Sequence, residues 1–133
     1  MKYMYPAIFT KEDDGIIVTF PDVDGAFTDG ADMTEAYTNA EDVLNLMLMS
    51  FEDDKQAIQP PTDLDQLVLP AHSLAALVPA DTDAYRRKTD TKAIHKNVSI
   101  PSWLNTLATK RNINFSNVLQ NALMKELGVS SMG

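Results

Sequence analysis

In the segment KAIHKNVSIPSWLNTLATKRNINFSNVLQNALMKELG, residues 92–128, the spacing of the apolar residues changes twice. Apolar and polar residues first alternate up to Ile100, which predicts a short strand. The apolar face of this strand carries Ile94, Val98 and Ile100, and the other face carries His95, Asn97 and Ser99. The alternation ends at Pro101, which suits the first position of a helix because its missing N–H would have no partner there.

Two helices are predicted after this strand. In the first, the apolar spacing of three and four residues continues from Ile100 through Leu104 to Ala108 and stops at the polar run 110–112. Asn114 is a suitable N-cap for the second helix, and Gly128 is its expected C-terminal stop. Between these ends runs one apolar stripe, formed by Phe115, Val118, Leu119, Ala122, Leu123 and Leu127.

One strand and two short helices cannot close a hydrophobic core. A lone strand has two unpaired edges, and the second helix carries more apolar surface than one short partner could cover. We therefore expect this unit to dimerise through its strand. Two such strands paired antiparallel form a ribbon that fits the major groove of DNA. The exposed face of the ribbon would then present His95, Asn97 and Ser99 to the base edges.

Phosphate contacts are expected next to this ribbon. The free backbone N–H groups of Phe115 and Ser116 and the positive end of the helix dipole favour an anion at the start of the second helix. Lys96 interrupts the apolar face of the strand and is expected to reach towards a phosphate. The predicted phosphate-contacting residues are Lys92, Lys96, Asn114, Phe115 and Ser116, whereas Trp103 is expected to pack in the dimer core.

The charge of the chain is unevenly divided. Residues 1–91 hold six Lys and Arg against eighteen Asp and Glu, while residues 92–133 hold five against one. A basic end can approach phosphate, and an acidic end favours a basic protein partner. The chain has no cysteine, which excludes disulfides and thiolate metal sites. Because it also lacks a long apolar run and a signal-peptide core at its start, we expect a cytoplasmic protein without a membrane partner.

The N-terminal part predicts the element order β-β-β-α-β. Residues 3–10 and 16–20 alternate like strands around an Asp14-Gly15 turn, and a third short strand over residues 26–28 ends at Gly30. Asp32 and Glu35 form a capping-box pattern at the start of a long amphipathic helix. The run Gln59-Pro60-Pro61-Thr62 ends this region, and residues 74–79 are the expected fourth strand.

A metal-dependent nuclease is the enzymatic alternative, because phosphodiester cleavage by two metals needs several converging carboxylates. The candidates are Asp22, Asp24, Asp29 and Asp32, all near the ends of short strands. The first strand contains no acid, so solvated turn residues are the favoured interpretation. His72 lies in an irregular apolar stretch without a nearby Cys, Asp or second His, so a metal or general-base role is not expected. The sequence therefore predicts no catalytic residue, no metal site and no cofactor.

Several short motifs resemble the HicB family of antitoxins. They are Tyr5-Pro6-Ala7-Ile8-Phe9, Asp14-Gly15, Phe20-Pro21-Asp22, Gly25-Ala26-Phe27-Thr28-Asp29-Gly30, Ala36-Xaa-Xaa-Asn39-Ala40 and Val78-Pro79-Ala80-Asp81 followed by Tyr85. The strand-helix-helix pattern of the C-terminal part resembles the ribbon-helix-helix family of DNA-binding modules. Members of the HicB family commonly join these two parts in the same order.

This resemblance implies an α+β protein with a partial RNase H-like domain at residues 1–88 and a ribbon-helix-helix domain at residues 89–133. It also implies a function without catalysis. Such a chain would bind and occlude a small basic RNA-cleaving toxin, called HicA, and repress its own operon by binding operator DNA. The resemblance implies a homodimer that assembles further into a tetramer. The alternative is a stand-alone ribbon-helix-helix regulator whose N-terminal domain senses a small ligand.

Overall fold

An antiparallel sheet of four strands forms the centre of the first part of the chain. The computed structural model describes residues 1–129, and the chain divides into an N-terminal unit, Met1–Thr91, and a C-terminal unit, Lys92–Gly133. The strands are β1 (Lys2–Glu12), β2 (Gly15–Thr19), β3 (Phe27–Gly30) and β4 (Ser73–Asp81), in the spatial order β3-β2-β1-β4. Helix α1 (Met33–Asp53) lies between β3 and β4 in sequence, so the predicted β-β-β-α-β order is confirmed.

Helix α1 covers one face of this sheet. The Asp32 side chain accepts a hydrogen bond from the Glu35 backbone N–H at 2.9 Å, which confirms the predicted N-cap. The core between helix and sheet consists mainly of Tyr5, Ala7, Phe9, Val18, Ala36, Ala40, Leu44, Leu48 and Val78. The helix approaches β3 so closely that a Cβ atom on Gly30 would overlap the backbone of Ala36. Only glycine fits at this position.

A short helix that the sequence analysis did not predict follows β4. This helix, α2 (Thr82–Thr89), is capped by Asp81, whose side chain accepts a hydrogen bond from Ala84 N–H at 3.1 Å. Its only apolar residues are Ala84 and Tyr85, so it has no apolar stripe from which a helical period could be recognised. The domain boundary predicted after residue 88 falls inside the last turn of α2.

The C-terminal unit contains two helices, α3 (Ser102–Lys110) and α4 (Phe115–Leu127). Asn114 caps α4 through a hydrogen bond from Asn117 N–H at 3.0 Å, and Gly128 ends the helix with a left-handed φ of 71°. Both ends agree with the sequence prediction. Pro101 is the N-cap of α3 and not its first helical residue, because its ψ of 144° is extended.

The strand predicted from Ile94 to Ile100 is not formed. Residues 90–101 have no regular secondary structure, and every side chain from Lys92 to Pro101 is exposed. A strand is defined by hydrogen bonds to a neighbouring strand, and the described residues of this single chain provide none for the segment. The predicted ribbon remains a prediction about two chains.

Candidate functional site

Glu52, near the end of α1, binds three side chains from other elements. Its Oε2 accepts hydrogen bonds from Tyr3 OH at 2.7 Å and Thr82 Oγ1 at 2.9 Å, and its Oε1 accepts one from Arg86 Nη2 at 3.1 Å. Burial raises the pKa of Glu52, but these hydrogen bonds outweigh burial and hold the pKa below its ordinary value. This network joins α1 to β1 and α2. Sequence reasoning missed it because its members are far apart in the chain.

The same network changes the titration of Tyr3. Burial and the hydrogen bond to Glu52 raise the pKa of the Tyr3 phenol to about 12. Arg86 also contacts Asp53 at 2.8 Å, so one guanidinium balances two carboxylates at this end of α1. The surface near Arg86 is therefore less acidic than the sequence suggests.

The four aspartates considered for a nuclease have separate surroundings. Asp22 is 6% exposed and accepts hydrogen bonds from Thr62 N–H at 2.8 Å and Thr62 Oγ1 at 2.5 Å, which fixes the segment after α1. Asp32 caps α1, while Asp24 and Asp29 are exposed. Within residues 1–129, no group of three or more His, Asp or Glu side chains is placed to hold a metal ion.

His72 occupies a turn before β4. It is exposed, has a left-handed φ of 62°, and its carbonyl accepts a hydrogen bond from Lys11 N–H at 3.0 Å. These features assign His72 a backbone role where the chain enters β4.

A groove lined by carboxylates lies where the β1–β2 turn approaches the start of α1. It has a volume of about 610 Å³. We call it the acidic groove, and its acidic side chains are Glu12, Asp13, Asp14, Asp29 and Glu35. None of them forms an ion pair within the described part of the chain. Of this set, the sequence analysis considered only Asp29 as a candidate functional residue, because the five residues meet only when the sheet and α1 are assembled.

The outer sheet face, which points away from α1, carries large apolar residues. The exposed ones are Met4, Ile17, Phe27 and Leu77, with Phe27 at 69%, whereas Pro6 on the same face is buried. The strand register pairs Thr19 with Phe27 and Ile17 with Asp29. Ile17 and Phe27 therefore lie on the same side of the sheet as Asp29, and Ile17 and Asp29 also line the acidic groove.

All of the predicted nucleic-acid-binding residues in the C-terminal unit lie on its surface. His95, Asn97 and Ser99 are exposed in the segment without regular structure, as are Lys92 and Lys96. At the start of α4, the Asn114 side chain accepts a hydrogen bond from Asn117 N–H. The N–H groups of Phe115 and Ser116 are directed out of the helix end. Whether these residues contact nucleic acid stays a prediction.

The C-terminal unit leaves its apolar side uncovered. No residue from 92 to 129 is buried, and only Ala108, Met124 and Val129 are half-buried. The exposed large apolar residues are Ile94, Val98, Ile100, Trp103, Leu104, Leu107, Ile113, Phe115, Val118, Leu119, Leu123 and Leu127. Soluble proteins rarely expose so much contiguous apolar surface without a partner that covers it.

These features define a class of two-part α+β protein, with an acidic unit that has its own core and a basic unit whose apolar side chains are exposed. No helix within residues 1–129 is long and apolar enough to cross a membrane. The family model for HicB-like antitoxins of bacterial toxin-antitoxin systems matches residues 5–122. The chain belongs to the HicB-like antitoxin family.

Solved structures share this fold at low sequence identity. A chain of a toxin-antitoxin complex from Streptococcus pneumoniae is similar with a TM-score of 0.62 and 23% identity, over 95% of this chain and 99% of that chain. The antitoxin HicB of Burkholderia pseudomallei is similar with a TM-score of 0.54 and 22% identity, over 94% and 98%. A chain of the HicA3 and HicB3 toxin-antitoxin complex has a TM-score of 0.50 and 22% identity, over 59% and 99%.

A phage protein is also related in sequence. An uncharacterized 14.9 kDa protein from the rep-hol intergenic region of Haemophilus phage HP1 (strain HP1c1) is 28% identical over 65 residues. The match covers 49% of this chain and 49% of the phage protein, so the chain spans about half the length of this relative.

Proposed function

We propose that this chain is an antitoxin that binds and occludes a small basic, HicA-like mRNA-cleaving toxin, and that it represses its own operon by binding operator DNA. The observation that carries the proposal is the family match over residues 5–122, which includes most of both units. The similar chains that come from toxin-antitoxin complexes, one of them named for HicA3 and HicB3, support a HicA-like partner.

Inhibition by this chain needs no chemistry of its own. A protein that cleaves RNA must offer positive charge to the phosphates of its substrate. The N-terminal unit is strongly acidic, with eighteen Asp and Glu against six Lys and Arg in residues 1–91. Opposite charges accelerate the encounter, and the bound antitoxin then keeps RNA away from the toxin.

Operator binding would use a dimer of the C-terminal unit. The segment 94–100 would pair with its copy in a second chain, and the uncovered apolar residues of α3 and α4 would form the shared core. The opposite side of the ribbon would present His95, Asn97 and Ser99 to base edges. The phosphates would be held by Lys92, Lys96, Asn114, Phe115 and Ser116. Association through the N-terminal units would extend the dimer to a tetramer.

Co-expression with the small basic reading frame next to the gene tests the antitoxin function. We expect a stable complex in which the RNA cleavage of the partner is silenced at a fixed stoichiometry. A partner that does not associate, or that cleaves RNA equally well with this chain present, would contradict the proposal. In that case a stand-alone ribbon-helix-helix regulator would be the better description.

Operator recognition is tested by comparing Asn97→Ala with Lys92→Ala. Loss of a base contact at Asn97 should cost about 1–3 kcal/mol on the operator and little on scrambled DNA. Loss of a phosphate contact at Lys92 should weaken both DNAs alike and lower the salt dependence. Fluorescence anisotropy measures both effects, with the exposed Asn105→Ala on α3 as the control. An Asn97→Ala variant with unchanged discrimination would contradict the ribbon assignment.

A further inference from the structure

The carboxylates of the N-terminal unit divide into those with a structural partner and those without one. Seven have a partner among the described residues: Asp22, Asp32, Asp42, Glu52, Asp53, Asp81 and Asp83. The five carboxylates of the acidic groove form no side-chain hydrogen bond and no ion pair with any residue from 1 to 129. Eleven carboxylates of residues 1–91 therefore have no such partner, and five of them line this one groove. The other six are Asp24, Glu41, Asp54, Asp63, Asp65 and Asp90.

The acidic groove borders an apolar surface that the chain leaves exposed. Phe27 is 69% exposed and Ile17 is 43% exposed, and both lie on the outer sheet face beside Asp29. An exposed aromatic side chain next to unpaired charges has the composition of a protein interface, in which apolar anchors are surrounded by a polar rim.

We propose that the acidic groove, together with Ile17 and Phe27, docks onto the RNA-binding face of the basic toxin. The carboxylates would stand where the toxin otherwise holds RNA phosphates, and Phe27 would anchor the contact. This inference rests on the proposed antitoxin function and specifies the surface that performs it. A nucleic acid or a second copy of the groove would be repelled by the same five carboxylates, so charge complementarity favours a basic protein.

Other surfaces of the N-terminal unit fit a basic partner less well. At the end of α1, Arg86 already balances Glu52 and Asp53. A hollow of about 530 Å³ between α1, α2 and the sheet is lined in part by Lys2 and Lys88, which have the same charge sign as the toxin. The acidic groove holds five unpaired carboxylates, whereas this hollow holds one, Glu41.

Charge reversal within the full chain tests the groove. We compare Glu12→Lys/Asp13→Lys with the control Asp63→Lys/Asp65→Lys, which changes the net charge equally. All four side chains are exposed, and Asp63 makes no capping bond in its short 3-10 turn. The groove variant should bind the co-expressed toxin at least about 30-fold more weakly, mostly through slower association that depends on salt, while the control changes by about 3-fold or less.

A second pair of variants tests the apolar anchor. Phe27→Asp should weaken toxin binding by at least about 30-fold, whereas Leu46→Asp on the exposed side of α1 should leave binding within about 3-fold. Thermal unfolding of each variant alone checks that the N-terminal unit is intact. A non-cleavable RNA oligonucleotide should compete with this chain for the same face of the toxin and displace it.

The outcomes separate the two proposals. If the wild-type chain binds and silences the toxin but the groove and control variants behave alike, the docking surface is wrong and the antitoxin function stands. Simultaneous binding of RNA and this chain to the toxin would likewise overturn the docking surface. If the wild-type chain does not bind the toxin, both proposals fail.

Discussion

The two units of this chain differ in where their apolar residues lie. Every buried hydrophobic residue of the described chain is in the N-terminal unit, where α1 packs on a four-stranded sheet. A similar proportion of the residues in the C-terminal unit is apolar, yet none of those described is buried. Composition alone does not make a core, because apolar side chains need a second layer to pack against. The N-terminal unit contains both layers, whereas the described part of the C-terminal unit leaves its apolar side chains without a second layer.

The largest effect is expected from a charge placed in the predicted dimer core. Leu123→Glu should prevent the C-terminal units from pairing, because burying an unpaired carboxylate costs several kcal/mol. Sedimentation velocity should show loss of the dimer formed through this unit. Operator affinity should fall by more than about 100-fold. Thermal unfolding of the N-terminal unit should be unchanged.

The control for this substitution is Gln120→Glu, which adds the same charge to α4 outside the apolar stripe. It should keep both the dimer and operator binding. If the Leu123→Glu variant still dimerises through the C-terminal unit and binds operator DNA, the apolar stripe of α4 is not the core of a dimer.

A cavity in the N-terminal core should have a smaller and separate effect. Leu44 is completely buried, so Leu44→Ala should lower the free energy of unfolding of the N-terminal unit by about 2–5 kcal/mol. Operator affinity should stay the same, because α3 and α4 are not part of this core. Chemical denaturation followed by circular dichroism measures the change. Leu46→Ala, on the exposed side of the same helix, should cost much less, and equal losses at both positions would contradict the assigned core.

The smallest effect is expected from the Glu52 network. Because the folded-state pKa of Glu52 lies below its unfolded value of 4.5, its contribution to stability is present above that pH and is lost as the pH falls through the folded pKa. Glu52→Gln should therefore lower stability at neutral pH by on the order of 1 kcal/mol and flatten the acid limb of the stability curve.

Two further observations sharpen this prediction. Glu52→Gln should also move the Tyr3 phenol titration from about 12 towards its ordinary value, since the carboxylate is one cause of the raised pKa. Asp54→Asn is the matched control, because the Asp54 side chain has no ion pair within residues 1–129. If both variants change the acid limb of the stability curve equally, the Glu52 network is not the cause of that limb.

Local patterns predicted much of the fold. The alternation in β1, the Asp32 cap and the Gly128 stop depend on neighbours within a few residues, so one sequence contains all the information they need. Helix α2 has a recognisable cap at Asp81 but no apolar stripe, and it was missed for that reason. The strand predicted at 94–100 has no neighbouring strand among the described residues of this single chain, and the segment has no regular structure there.

The candidate site depended on contacts between distant residues. Tyr3 and Glu52 are 49 positions apart, and their hydrogen bond exists only because α1 ends beside β1. The acidic groove likewise brings Glu35 at the start of α1 to the β1–β2 turn. Sequence analysis predicted an acidic docking surface from total charge, but the fold was needed to distinguish paired carboxylates from unpaired ones.

The most direct test of this account compares residues 1–91 with the full chain in two assays. The fragment has its own core, so it should fold, bind the co-expressed toxin and silence its RNA cleavage, while failing to bind operator DNA. The full chain should do both. A folded fragment that leaves the toxin active, or that binds operator DNA as well as the full chain, would contradict the division of function between the two units.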